Sequence, residues 1–232
     1  MLLMKLIFRD FLCLLFPDVC NACGQQLYRG EEQICIRCRY DLPYTDFHLY
    51  PDNPAAKLFW GRIRCNAAMA MLFFRKGTRV QQLIHRLKYQ SQTGLGYTLG
   101  TLLGEKLLQS PDYRTADMII PVPLHPRKER SRGYNQSKCI ADGMAKVLGV
   151  PVNVKQLIRR KATDTQTKKN RYTRFENMRS VFAVPDPAEL AGKHIILIDD
   201  VITTGATLEA CGQLLLDSGV TKLSIAALAF TE

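Results

Sequence analysis

Residues 195–208, IILIDDVITTGATL, constrain the fold of this 232-residue chain more than any other stretch. An apolar run leads directly into two adjacent carboxylates, Asp199 and Asp200. The hydroxyl-rich turn Thr203-Thr204-Gly205-Ala206-Thr207 follows and opens a helical pattern. Because a strand that is apolar throughout has no polar side to turn to water, it predicts a parallel sheet covered on both faces.

The rest of the chain repeats this alternation of apolar strands and amphipathic helices. Strands are expected at 67–74, 118–123, 152–158, 180–184, 194–199 and 223–230, and helices at 78–89, 94–109, 135–148 and 207–218. The glycines within 94–109 lower the propensity of that segment for helix. Residues 46–60 are rich in Pro, Asn and Asp and indicate a linker or an irregular loop. The alternation predicts an α/β fold with helices on both faces of the sheet.

Half of the eight cysteines lie in one window, CNACGQQLYRGEEQICIRC, at Cys20, Cys23, Cys35 and Cys38. Two pairs, each with two residues between the thiols, can surround a zinc ion tetrahedrally. Such a site has no open position, so the spacing predicts structural zinc, which a segment this small needs in order to fold. The alternative is a set of buried or free thiols.

The other four cysteines are scattered, at Cys13, Cys65, Cys139 and Cys211. Scattered thiols argue against a secreted disulfide scaffold and favour a reducing, cytoplasmic location. The net charge of +11 favours anionic partners, which include nucleic acid, phosphorylated metabolites and acidic proteins.

The apolar N-terminus ends at Pro17 and is too short and too charged to span a bilayer. It predicts a helix that packs on the protein or attaches to a membrane surface or a partner helix.

The opening stretch also has the chemistry of a sugar-phosphate site. Ligands of open α/β sheets bind at the carboxyl ends of the strands, where residues 203–207 lead into a helix. The backbone N–H groups and hydroxyls of this turn can cradle a terminal phosphate, and Gly205 permits close approach. Asp199 and Asp200 can accept hydrogen bonds from a diol, so the pattern favours a ribose 5-phosphate over a generic phosphate site.

Residues 195–208 resemble the fingerprint of type I phosphoribosyltransferases, which bind phosphoribosyl pyrophosphate (PRPP). PVPLHPRKERSRGYNQS (121–137) resembles the segment PxPLHxxRxxxRGxNQ of the ComF family of competence-related proteins. The stretch 159–182 is similar to that family at Gln166, Thr167, Arg174 and Asn177, and departs from it at Lys168-Lys169. An LFP turn and four cysteines ahead of the transferase-like part are also typical of the family.

The resemblance implies a type I phosphoribosyltransferase-like sheet preceded by a small zinc ribbon. It implies a helix and zinc ribbon at 1–45, a linker and helical hood at 46–110, and a transferase-like core at 111–232. The pyrophosphate loop falls at Pro123–Lys128, with Arg127 and Lys128 as catalytic cations beside Asp199 and Asp200. Leu124, His125 and residues 203–207 would bind PRPP with Mg²⁺, and a mobile loop at 160–174 would close over the site.

Two functions stay open. The first is transfer of ribose 5-phosphate from PRPP to a base or an amine. The second is a non-catalytic role in DNA uptake, through single-stranded DNA or competence proteins, for which the basic stretch 155–174 offers phosphate contacts.

His125 can act in catalysis or in structure, and Asn135 and Gln136 can cap a helix or contact ligand. Lys88-Tyr89 resembles a family position without indicating a role.

Overall fold

The computed structural model describes residues 17–90, 92–160 and 181–231. The N-terminal helix expected before Pro17 lies outside the described residues. So do nearly all of the mobile loop expected at 160–174 and the family-like residues between 166 and 177.

A parallel sheet of four strands forms the centre of the molecule, in the order β1-β6-β5-β2. The strands along the chain are β1 (Ala67–Phe74), β2 (Met118–Pro121), β3 (Ile158–Arg159), β4 (Phe182–Ala183), β5 (His194–Ile202) and β6 (Lys222–Thr231). Strands β3 and β4 form a separate antiparallel pair. Nearly every residue of β5 and β6 is buried regardless of which face it points to, so both faces of the sheet are covered. The predicted α/β fold with a parallel sheet is confirmed.

Eight α-helices are described in residues 17–90, 92–160 and 181–231. They are α1 (Ile36–Tyr40), α2 (Pro54–Lys57), α3 (Arg79–Tyr89), α4 (Thr93–Leu107), α5 (Pro111–Arg114), α6 (Pro126–Arg132), α7 (Gln136–Leu148) and α8 (Ala206–Asp217). Helix α7 contacts β2 and β5, α8 contacts β5 and β6, and α3 contacts β1. None of the helices in these ranges has the length and hydropathy needed to cross a membrane.

Helices α4 and α7 pack against each other more closely than side chains would allow. A Cβ atom added to Gly100 would lie 2.1 Å from the carbonyl oxygen of Ile140. A Cβ atom added to Gly143 would lie 2.1 Å from the carbonyl oxygen of Tyr97. The glycines that weaken the helix propensity of 94–109 are therefore what lets the two backbones touch.

The strand expected over 152–158 is wrong in extent. Val152 makes a single parallel bridge to Ile119, and the chain then turns before β3. The side chain of Asn153 causes the turn, because its Oδ1 accepts hydrogen bonds from the N–H groups of Lys155 and Gln156.

Residues 46–60 are more ordered than a linker. They form a 3₁₀ turn at Phe47–Leu49 and helix α2. Buried Asn53 holds them together: its amide donates to the carbonyls of Phe47 and Ala68, and its Oδ1 accepts from the N–H of Ala56. One buried polar side chain thus forms hydrogen bonds with several backbone groups of an irregular segment, which composition alone does not reveal.

Candidate functional site

The two adjacent carboxylates lie inside strand β5 rather than at its end. Asp199 pairs in register with Ala227, and the pairing with β6 continues as far as Ile202 and Phe230. The strand is therefore longer than the expected 194–199, because β6 offers backbone partners along its whole length. The carboxylates lie near the carboxyl edge of the sheet, where ligands of open α/β folds bind.

Asp200 is buried, with 5% of its surface exposed, and is held by two partners from different helices. The Lys88 Nζ of α3 lies 2.9 Å from its Oδ2, and the Gln136 Nε2 of α7 donates to the same oxygen at 2.9 Å. Arg132 donates to the Oε1 of Gln136, which fixes the orientation of that amide. A buried carboxylate of this kind needs such a paired cation.

Asp199 is held differently. Its Oδ1 accepts hydrogen bonds from the Ser137 hydroxyl at 3.0 Å and from the backbone N–H of Asp200 at 2.8 Å. Burial and the neighbouring Asp200 charge raise the pKa of Asp199 to about 7, against smaller opposing effects of these hydrogen bonds and of Lys88. The pair therefore combines Asp200, which has a lysine as its charged partner, with Asp199, which titrates near neutral pH.

The turn after β5 exposes two threonines to solvent. Thr203 and Thr204 are exposed, and Gly205 is buried at the N-cap of α8 with φ of 72°. A side chain at Gly205 would be strained by this φ and would lie 3.1 Å from the Phe59 ring. The N–H of Ala206 donates to the Thr204 hydroxyl at 3.4 Å, and the N-terminus of a helix such as α8 suits an anion.

A basic cavity of about 420 Å³ adjoins the carboxylates. It is lined by Lys88, Tyr89, Arg127, Lys128, Ser131 and Arg132. The guanidinium of Arg132 lies over the Tyr89 ring, 5.5 Å from its centroid. Since Lys88 also contacts Asp200, one lysine joins the cavity to the acid pair.

The remaining residues proposed from sequence lie around α6 and α7. His125 is the N-cap of α6, and its Nδ1 accepts a hydrogen bond from the N–H of Arg127 at 3.1 Å. Asn135 caps α7 and also donates to the carbonyl of Val122. Leu124 is half-buried in the loop between β2 and α6.

The structure adds Lys88, Gln136 and Ser137 as direct partners of the acid pair. The sequence assigns no role to Lys88, and it predicts either a helix cap or a ligand contact for Gln136. The stretch RGYNQ carries a family signal for Gln136, and Ser137 lies just beyond that pattern. For Lys88 the signs are its place at the end of an amphipathic helix and the family resemblance of Lys88-Tyr89, and neither indicates Asp200 as its partner, because Asp200 is remote in sequence.

The four cysteines of the N-terminal window form one cluster that can hold a zinc ion. Their Sγ atoms all lie within 4.8 Å of one another, and those of Cys23 and Cys35 are 3.9 Å apart. Zn–S bonds of about 2.3 Å in a tetrahedron require S–S distances of about 3.8 Å, so the cluster fits the metal.

The pKa of Cys20 is lowered, whereas burial raises the pKa of Cys35 and of Cys38. Burial opposes ionisation of Cys20, but backbone N–H groups of Cys35 and Ala22 donate to its Sγ and contribute to a pKa lowered to about 7. The thiolate is the form that binds zinc, so these hydrogen bonds favour the ligand state.

Comparison with known proteins agrees with this architecture. A family described as "Phosphoribosyl transferase domain" matches residues 136–231. DNA utilization protein YhgH of Escherichia coli (strain K12) is 28% identical over 215 residues, covering 89% of this chain and 88% of that protein. Competence protein F of Haemophilus influenzae is 32% identical over 152 residues, covering 63% and 66%. These relatives support assignment of the chain to the ComF family. The resemblance predicted from the sequence motifs is confirmed.

Solved structures with a similar fold include glutamine PRPP amidotransferase from B. subtilis, complexed with ADP and GMP. It is 19% identical, with a TM-score of 0.44. The match covers 62% of this chain and 30% of the amidotransferase, so this chain spans about a third of that enzyme's length.

Proposed function

We propose that this ComF-family protein binds PRPP at the carboxyl edge of its sheet and transfers ribose 5-phosphate to a base or an amine. One observation carries the proposal: Asp199-Asp200, the loop 203–207 and the basic cavity adjoin one another. The acid pair and the loop are contiguous in β5 and α8, and Lys88 contacts both Asp200 and the cavity. A phosphate cradle, a diol acceptor and a polycationic cavity in this order match the three parts of PRPP.

Each part has a role in this proposal. The N–H groups and hydroxyls of residues 203–207 bind the 5-phosphate. Asp199 and Asp200 accept hydrogen bonds from the ribose hydroxyls. Arg127 and Lys128, which line the basic cavity, bind the pyrophosphate and stabilise its negative charge as the bond to C1 breaks.

Magnesium belongs to the ligand in this proposal. Both carboxylates already accept hydrogen bonds from protein donors, so we expect Mg²⁺ to be held mainly by the phosphate oxygens of PRPP. Such an ion neutralises charge on the leaving pyrophosphate.

Calorimetric titration of PRPP with Mg²⁺ tests the proposal. We expect wild type to bind and the double variant Asp199→Asn, Asp200→Asn to lose at least about tenfold in affinity, because the diol loses its charged acceptors. The variant Asp142→Asn is the matched control, since Asp142 pairs with Lys138 on the exposed side of α7.

Pyrophosphate release with a panel of nucleobases and amines then separates binding from reaction. Release with one acceptor supports the transferase and identifies its substrate. Binding without release by any acceptor contradicts the enzymatic part of the proposal, and failure of wild type to bind PRPP contradicts all of it.

A second candidate is a role in DNA uptake that involves single-stranded DNA or competence proteins. It is favoured by the names of the relatives, DNA utilization protein and competence protein, and by the basic cavity. Tyr89, which is 67% exposed beside Arg132, can stack on a base.

Fluorescence anisotropy with a labelled oligonucleotide tests this candidate. Phosphate contacts predict an affinity that falls steeply as salt rises from about 50 to about 200 mM. Competition by PRPP would place both ligands in the same cavity. An affinity independent of salt would rule out the phosphate-contact version.

We further propose that the four-cysteine cluster holds a structural zinc ion and that the protein is cytoplasmic. The closed cluster supports the first. The free thiols described at Cys65, Cys139 and Cys211 support the second.

A further inference from the structure

Arg62 lies beside the loop 203–207, although no sequence pattern marked it. Its Nη1 donates to the carbonyl of Leu58 at 2.9 Å and to the carbonyl of Thr204 at 3.0 Å. Its Nη2 donates to the carboxylate of Glu209. One planar guanidinium therefore ties the segment after α2 to the loop and to α8.

Glu209 fixes this guanidinium in place. The residue is 6% exposed and lies in the first turn of α8, where its own N–H donates to the carbonyl of Gly205 at 2.8 Å. A buried carboxylate requires a charged partner, and Arg62 supplies it. Helix α8 thus holds Arg62 through Glu209, and Arg62 in turn contacts the loop that leads into this helix.

Peptide geometry gives this contact a consequence. In a trans peptide the carbonyl and the following N–H point to opposite sides of the chain. The peptide between Thr204 and Gly205 is trans, so holding its carbonyl on the Arg62 side turns the N–H of Gly205 to the other side. If this peptide were flipped, the carbonyl oxygen of Thr204 would take the place of the N–H of Gly205 on the side away from Arg62. A carbonyl oxygen repels phosphate, whereas an N–H group can donate to it.

We propose that Arg62, oriented by Glu209, is a positioning residue that fixes the Thr204–Gly205 peptide for binding of the 5-phosphate. This inference rests on the proposed function, because it assigns the loop to that phosphate. It predicts a selective effect: ligands that carry a 5-phosphate depend on Arg62, whereas pyrophosphate in the basic cavity does not.

Titration of ribose 5-phosphate and of inorganic pyrophosphate into matched variants tests the inference. We expect Arg62→Gln and Glu209→Gln each to weaken ribose 5-phosphate binding about tenfold, roughly the value of one well-placed hydrogen bond to a charged group. Pyrophosphate affinity should stay within about twofold of wild type. The control Arg64→Gln removes the same charge from an exposed arginine two residues away and should change neither ligand.

The conservative variant Arg62→Lys separates positioning from simple charge. Lysine keeps the charge but lacks the planar fork, so we expect it to restore less than half of the lost binding energy. Retained pyrophosphate binding in each variant shows that the fold is intact.

Three outcomes would contradict the inference. Equal ribose 5-phosphate affinity in wild type and in the Arg62 and Glu209 variants overturns it while leaving the proposed function standing. Parallel loss of both ligands shows a general structural role and also overturns it. If wild type binds neither ribose 5-phosphate nor PRPP, the proposed function fails together with the inference.

Discussion

Asp199 and Asp200 are neighbours in the chain, but their surroundings give them different properties. Asp200 has a lysine partner within 2.9 Å. Asp199 has a hydroxyl and a backbone N–H, and its pKa is raised to about 7 by burial and by the charge of Asp200. Asp200 therefore lies against a fixed cation, and the Asp199 carboxyl changes charge near neutral pH.

This difference predicts a pH dependence of stability. A carboxyl whose pKa is raised from about 3.9 in the unfolded chain contributes stability at low pH, and that contribution is lost as pH rises toward 7. We expect the free energy of unfolding of the ligand-free protein to fall between about pH 5 and pH 7, by at most about 1.4 kcal/mol per pH unit from this group.

Chemical denaturation at several pH values measures this dependence. Asp199→Asn should flatten the decline, since an amide does not titrate. Asp142→Asn, on the exposed side of α7, should leave the decline unchanged. The same decline in the Asp199→Asn variant and in wild type would assign the effect to other groups.

At the scale of elements, the contact between α4 and α7 depends on glycines at the crossing. The backbones approach so closely that a single methyl group at Gly100 or Gly143 would overlap a carbonyl of the other helix. Helix α7 contacts β2 and β5 and begins with Gln136 and Ser137, which hold the acid pair. The crossing of α4 and α7 therefore positions the residues that hold the acid pair, in addition to packing the two helices together.

Gly100→Ala should be destabilising even though alanine is the better helix former. The added methyl group forces the helices apart, at a cost of about 1–3 kcal/mol in the free energy of unfolding. Gly94→Ala, in the first turn of α4, is the control, because its methyl group would meet only the flexible end of Gln33. Thermal or urea unfolding measures both variants, and equal stability of the two would contradict the close-packed crossing.

Much of the element pattern could be predicted from the sequence. Apolar runs located β1, β5 and β6, although β5 is longer than expected, and cysteine spacing identified the four-cysteine cluster, because these signals are local. The sequence could not indicate that Lys88 and Arg62 reach the site, since each finds its partner more than a hundred residues away. Nor could it show that glycines in α4 serve packing, because that requires the position of α7.

At the scale of the whole molecule, the site draws on widely separated parts of the chain. Lys88 and Arg62 come from the segment 46–110, while the acid pair and the loop come from 111–232. The cysteine segment is tied to two helices of the segment 46–110: Arg86 of α3 donates to Asn21, and Arg39 pairs with Glu105 of α4. The proposed division at residue 110 therefore separates stretches of sequence that share one site.

Removal of metal should affect the cysteine segment first. We expect about one zinc ion per chain by elemental analysis, and its chelation should expose the amides of residues 17–45 to hydrogen exchange. Cys38→Ser should have the same effect, while Cys139→Ser, at an isolated thiol, should not. Protein that contains no zinc, or exchange unchanged by chelation, would contradict a structural metal.

The position of β6 has a consequence for synthesis. This strand lies between β1 and β5, and Ala67 of β1 pairs with Ser224 of β6. A nascent chain of which only residues up to 221 have left the ribosome therefore contains β1, β5 and β2 but lacks β6. Without β6, an apolar gap separates β1 from the pair β5 and β2. Since ribosomes add roughly 5–20 residues per second, the roughly 150 residues between β1 and β6 take roughly 7–30 seconds to synthesise, a period in which chaperones can bind the uncovered β1.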